Sequence, residues 1–292
     1  MATTTAKAFD EFRDRISLTD SQKKKARERA DRTASFLKDA FPASSTTPVR
    51  STKPMGSVSR GTAVRPLDDI DVLSIFNNKD NVFDKYRQDS QAFLYHIRKG
   101  VDAKTRVRKI GARGQAVRLF YKDGLHVDIA PVFEWNSGGY ALPAGDGSWL
   151  TTDPPEQKKW INQREADLGH LKKRVKFLKK WNAAHSKRLG SWHLEVMIAR
   201  VFTSMSGDSR NGLMKFFEWA PGYLSVQDPD GYGGDLSDYL TWAARQDVLS
   251  SLEAAHERAA KAKQAEAAGD HREAIRLWTI VLGDDFPAYT GS

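Results

Sequence analysis

The spacing of apolar and polar residues divides this chain into a first half of mixed periodicity and a second half that reads as helical. Residues 6–41 carry a sparse helical stripe that gathers only at Ala30, Ala34, Phe36 and Leu37, with Thr19 or Asp20 as a cap. The stretch FPASSTTP (41–48) breaks that helix, and VRSTKP then reads as a strand entering a Gly56-Ser57 turn. From Ile70 to Phe76 the run is short and apolar, as a buried strand should be. Alternation places Ile70 and Val72 on one face and Asp69 and Asp71 on the other. Asp68 falls on the Ile70 side, as a turn or supporting carboxylate.

Residues 80–101 predict a helix with Phe83, Tyr86, Phe93 and Leu94 turned inward. After a basic, Gly-containing loop (103–115), AVRLFY and LHVDIAPVF flank Lys122-Asp123-Gly124, a strong hairpin signal. Leu125, Val127 and Ile129 share one face of the second strand, so Asp128 projects from the other. Beyond about residue 150 the strand signal fades. DPPE (153–156) marks a helix start, and helical patterns follow at 169–186, 191–206, 236–267 and 271–282. Loops such as SGDSRNG and QDPDGYGGD separate them, and no internal repeat occurs.

The 292 residues suffice for one large domain or two packed lobes. No run of about 18 apolar residues suggests a membrane span, and MATTTAKAFDEFRDR lacks the apolar stretch of a secretory signal. The absence of cysteine excludes disulfides and thiolate metal sites, so a cytoplasmic protein is expected. A net charge of +9 invites polyanions, either long nucleic acid or a triphosphate. Much of it sits in QKKKARER (22–29) and HLKKRVKFLKK (170–180), where a solvated helix face competes with a functional role.

The acidic residues change the picture most. Transfer of a nucleotidyl group needs charge neutralisation, and two Mg²⁺ ions about 3.5–4 Å apart can clamp the attacking and leaving oxygens. Mg²⁺ prefers hard carboxylate oxygens and few protein ligands. Asp69 and Asp71 on one strand, with Asp128 from another, suit that requirement, the first two binding both ions and Asp128 the ion beside the acceptor hydroxyl. Mn²⁺ is an expected substitute. Gly56 lets backbone amides approach phosphate oxygens, and Ser57 adds a hydroxyl donor. Thr62 either extends that cradle or caps the next element. Lys172, Lys176 and Lys179 form one helical stripe, from which an ammonium facing the metals would hold the donor's β- and γ-phosphates. His126, on the Asp128 face, reads as a polar neighbour rather than a ligand. No P-loop signature and no Gly-x-Ser-x-Gly elbow occur.

These residues resemble the bacterial cGAS/DncV-like nucleotidyltransferases (CD-NTases), cyclic oligonucleotide synthases within the polymerase-beta-like group. GSVSRGTAVRPLDDIDV is similar to the family's Gly-Ser, Arg-Gly-Thr and Asp-x-Asp block, and VDIAPVF to its third-aspartate strand. RVKFLKKWN resembles its lysine-before-tryptophan helix, which implies triphosphate binding by Lys179. SWHLEVM resembles the segment whose serine touches phosphate and whose aromatic ring stacks on a base, here Ser191 and Trp192. VQDPDGYGGDLSDYL is similar to the nucleotide-pocket loop, which implies a role for Asp228. Met55, Trp192 and Asp235 depart from the family's usual residues, which leaves the choice of bases open.

The resemblance implies an α+β fold: a polymerase-beta-like nucleotidyltransferase core with a mixed sheet (49–150), a long N-terminal helical brace (1–48), and a helical C-terminal lobe closing the nucleotide cleft (151–292). It implies an enzyme that joins NTPs, ATP among them, into a cyclic di- or trinucleotide second messenger that activates an antiphage effector. A regulatory partner protein is compatible with this; a membrane or long nucleic acid is not required. The competing expectations are a template-independent transferase acting on RNA or a small molecule, and a non-catalytic nucleic-acid-binding protein.

Overall fold

The N-terminal helical stretch is interrupted once. In the computed structural model, which describes residues 2–103 and 109–291, α1 (Thr5–Ile16) ends at Ser17 and α2 (Asp20–Ala40) starts after Thr19. The Thr19 hydroxyl accepts from the Gln22 N–H at 3.2 Å, and the Gln22 side chain accepts from the Thr19 N–H at 3.0 Å. This capping box satisfies the donors that a new helix start exposes, so two helices replace the single one expected over 6–41. The two helices fall in different compact units. One unit takes the residues up to Ser17, Thr62–Pro66 and the chain from Lys159 onward; the other takes Leu18–Gly61 and Leu67–Lys158.

The second unit is built on a mixed sheet. Its elements after α2 are β1 (Val49–Pro54), α3 (Gly56–Arg60), β2 (Asp69–Phe76), α4 (Val82–Tyr86), α5 (Ser90–Asp102), β3 (Lys109–Arg113), β4 (Ala116–Phe120), β5 (His126–Glu134), β6 (Tyr140–Pro143) and β7 (Trp149–Thr152), then the start of α6 (Pro154–Leu168). The strand order is β1-β2-β5-β4-β3, with β6 on the far end of β5 and β7 on β6. Among the described residues of the sheet only β2 and β5 run parallel, and their register sets Asp71 beside Asp128. Ile70, Val72, Val117, Leu119, Val127 and Ile129 pack on one side against Leu37 of α2 and Phe93, Leu94 and Ile97 of α5, all buried. Each such side chain contributes about 1.5–3 kcal/mol through burial. The alternate residues, Asp69, Asp71, Arg118 and Asp128, are thereby turned to the other side.

Several expectations need correction here. The helix read over 80–101 is a 3-10 turn (Lys79–Asn81), α4 and α5, because Asp89 caps a fresh start by accepting from the Ala92 N–H at 3.1 Å. The loop read over 103–115 contains β3, and its residues 104–108 lie outside the described residues. β6 and β7 are four residues each, too short to display alternation. The Gly-Ser turn is the first turn of α3.

The first unit combines α1, the later part of α6, α7 (Leu171–Ala184), α8 (Ser191–Val201), α9 (Ser209–Trp219), α10 (Trp242–Ala267) and α11 (His271–Leu282). Phe9 and Phe12 of α1 pack on Phe177 and Phe286, and Phe9 meets Trp278 edge-on at 5.0 Å. α9 starts inside the segment read as the loop SGDSRNG, where the Asp208 carboxylate accepts from the Arg210 N–H at 3.0 Å. α10 starts at Trp242, later than the expected 236, behind the Thr241 cap. Among the described residues no helix is long and apolar enough to cross a membrane.

Candidate active site

Three carboxylates meet on the polar side of the sheet because two neighbouring strands put them there. Asp69 and Asp71 alternate with the buried Ile70 and Val72 on β2, and the parallel register brings Asp128 of β5 directly beside Asp71. Ligand atoms of Asp69, Asp128 and His126 all lie within 4.8 Å of one another. That donor set of two carboxylates and an imidazole fits a divalent cation. Asp71 faces the loop before α3, where the Met55 N–H donates to the Asp71 carbonyl at 2.9 Å. Gly56 follows with φ +69, and a Cβ there would overlap the Asp71 carboxylate. Glycine is therefore required twice at this position, for its backbone conformation and for the close approach. Ser57 lies in the same first turn of α3. A cavity of ≈ 430 Å³ is lined by Met55, Asp71, Arg118, Asp128, Ala130 and Leu142 among others.

The electrostatics follow from the crowding. Burial, reinforced by the neighbouring charges of Asp69 and Asp128, pushes the Asp71 carboxyl up to about 6, against the pull of Arg60 and Arg118. Sequence reasoning did not single out Arg118. It stands opposite Asp128 in the β4–β5 register and grips it with two hydrogen bonds, Nε to Oδ1 at 2.7 Å and Nη2 to Oδ2 at 2.6 Å. The signal for it was present: Val117 and Leu119 alternate inward, which turns Arg118 to the Asp128 face.

The other predicted residues lie in the helical unit, in two groups. Lys179 of α7 donates to Glu195 Oε1 at 2.7 Å and to Thr62 Oγ1 at 3.4 Å, and the Thr62 hydroxyl donates to the same Glu195 oxygen at 2.9 Å. Glu195 is fully buried, so the pair stays in register with little water to weaken it. Sequence reasoning did not single out Glu195 either; a carboxylate in the otherwise apolar run LEVMIA was its signal. In the second group Trp192 Nε1 donates to Asp228 Oδ1 at 3.1 Å, and the Trp192 ring meets Trp160 edge-on at 6.0 Å. Burial pushes the Asp228 carboxyl up, opposed by the Trp192 hydrogen bond. Ser191 is exposed at the first position of α8, beside Trp192.

Comparison with known proteins bears on the family and the fold. Residues 3–165 match the family model described as Second Messenger Oligonucleotide or Dinucleotide Synthetase domain. A Bacillus cereus (strain VD146) protein named "Probable cyclic nucleotide synthase" is 25% identical over 270 residues, covering 80% of this chain and 81% of the relative. The structure of E. coli MS115-1 CdnC, solved in complex with HORMA-deltaN, superposes with a TM-score of 0.81 at 20% identity over 97% of this chain and 98% of that one. Vibrio cholerae DncV cyclic AMP-GMP synthase, in complex with the linear intermediate 5′ pppA(3′,5′)pG, gives 0.76 at 17% identity over 94% and 93%.

Proposed function

The chain belongs to the SMODS family, the Second Messenger Oligonucleotide or Dinucleotide Synthetase domain, and from that premise we propose how its own residues carry out cyclic oligonucleotide synthesis. A hydroxyl of one NTP attacks the α-phosphorus of another; the new P–O bond forms as the bond to pyrophosphate breaks, and pyrophosphate departs. Repetition within the bound linear product closes a cyclic di- or trinucleotide. Asp69, Asp71 and Asp128 would hold two Mg²⁺ ions, with Mn²⁺ as a substitute. When bound, such ions neutralise phosphate charge and bring the attacking and leaving oxygens together.

The remaining steps belong to side chains. Asp128 lowers the cost of losing the acceptor hydroxyl's proton by presenting its charge on the acceptor side. Gly56 and Ser57 receive the donor phosphates on backbone and hydroxyl donors. In the helical unit Thr62 and Lys179, the latter poised on Glu195, are the phosphate-binding candidates. Ser191 meets phosphate, while Trp192, fixed by Asp228, offers a face to a base. The linear intermediate seen with the DncV relative supports two successive transfers. The HORMA complex of the CdnC relative supports a regulatory protein partner. Activation of an effector by the product completes the proposal.

The observation that carries the reading is the row Asp71–Asp128 across adjacent strands, with Asp69 alongside and Gly56 against it. Incubation of the chain with all four NTPs and Mg²⁺, followed by mass spectrometry, is expected to show a cyclic product and pyrophosphate. Asp69→Ala is expected to reduce product by at least about a hundredfold. Linear tails only, or full activity in that variant, would overturn the proposal.

A further inference from the structure

The grip of Arg118 on Asp128 engages both oxygens of a carboxylate that the proposed reading assigns to metal binding. Arg118 and Asp128 are 25% and 14% exposed, so neither charge is well screened by water. The guanidinium cannot lose its proton in this setting, and its charge is a permanent feature of the row. We propose that Arg118 serves as a built-in countercation, making divalent-ion loading at the carboxylates depend on a bound triphosphate.

The argument is one of charge balance at fixed positions. Three carboxylates share one side of β2 and β5, and Arg118 already offsets one of them through the best-matched geometry that a carboxylate offers, a two-point fork. An incoming dication meets the repulsion of this fixed positive charge and competes with it for Asp128. Arg60 adds to the same positive field at Asp71. A triphosphate in the neighbouring cavity brings several negative charges, which reverses the balance and gives the guanidinium a second anion to face. Asp128 does not need to move for this. Its ligand oxygen already stands within 4.8 Å of those of Asp69 and His126 while the fork is formed. The resulting coupling would keep the enzyme free of metal until substrate arrives, and by reciprocity metal would tighten nucleotide binding. This inference rests on the metal-binding reading above, and its test separates the two.

The test is a Mn²⁺ titration of the full chain, reading free Mn²⁺ by electron paramagnetic resonance, with and without α,β-methylene-ATP, which cannot undergo the transfer. The wild-type chain is expected to bind Mn²⁺ weakly alone and at least about tenfold more tightly with the analogue. Arg118→Leu is expected to bind Mn²⁺ alone about tenfold or more tightly than wild type, and to lose most of the analogue's effect. Arg118→Lys keeps the charge without the fork, and is expected to bind Mn²⁺ alone as weakly as wild type. Adding Asp128→Asn to Arg118→Leu is expected to abolish the gain, which assigns it to this site. Unchanged or weaker binding by Arg118→Leu overturns the inference, as does Arg118→Lys behaving like Arg118→Leu. Absence of Mn²⁺ binding to wild type even with the analogue would instead sink the metal-site reading itself.

Discussion

At the scale of single residues, Asp71 shows burial and chemistry pulling against each other. Its carboxyl is pushed up to about 6 by burial and by Asp69 and Asp128, while in an unfolded chain it returns to about 3.8. The folded chain therefore holds this proton more tightly than the unfolded chain does. The Asp71 contribution to stability is greatest below about pH 4, falls as pH rises towards 6, and is flat above that. The span corresponds to about 3 kcal/mol. Melting of the metal-free chain in EDTA is expected to show this slope, and Asp71→Asn to remove it and melt higher at pH 7. A steeper slope in the variant would contradict the assignment. Asp71 and Asp128 were legible from alternation, each flanked by buried aliphatic neighbours, and Asp69 from its place two residues before Asp71. Alternation gives the side of the sheet that Arg118 faces but not its partner, because the pairing with Asp128 depends on the register across a hairpin. Glu195 was hidden for the opposite reason: its partners Lys179 and Thr62 are 16 and 133 positions away.

Among elements, those that carry the acidic residues were the most readable. β1 matches VRSTKP, β2 begins one residue before Ile70, and the Asp123-Gly124 step closes a hairpin through the Gly124 N–H to Tyr121 carbonyl bond at 3.3 Å. Elements whose identity depends on neighbours were missed. β6 exists because β5 offers it an edge, and β7 because β6 does. The break between α1 and α2 shows how a local signal outweighs periodicity. The sequence offers Thr19 as a cap, yet the helical pattern over 6–41 predicts one continuous helix. The reciprocal Thr19–Gln22 bonds decide the matter. Thr19→Ala is expected to cost about 1 kcal/mol, read as a lower denaturation midpoint in urea, with product formation unchanged. No loss of stability would mean that packing of α2 on the sheet alone sets its start.

For the whole molecule, the carboxylate row implies a trade between stability and function. A chain that keeps three carboxylates close together folds against their mutual repulsion, which Arg118 offsets only in part. Bound cations and triphosphate supply the missing charge, and whatever binds only the folded state stabilises it in proportion to ligand excess. A hundredfold excess over the dissociation constant adds about 2.7 kcal/mol. For a chain of this length that raises the melting temperature by on the order of 5 °C. The wild-type chain is therefore expected to gain this shift with Mg²⁺ and α,β-methylene-ATP together, and much less with Mg²⁺ alone. Asp71→Asn is expected to begin higher in EDTA and to gain little from the ligands, so that the gap between the two melting curves closes. An equal shift in both proteins would place the bound nucleotide's stabilisation away from Asp71, and the two-ion arrangement would then need different ligands.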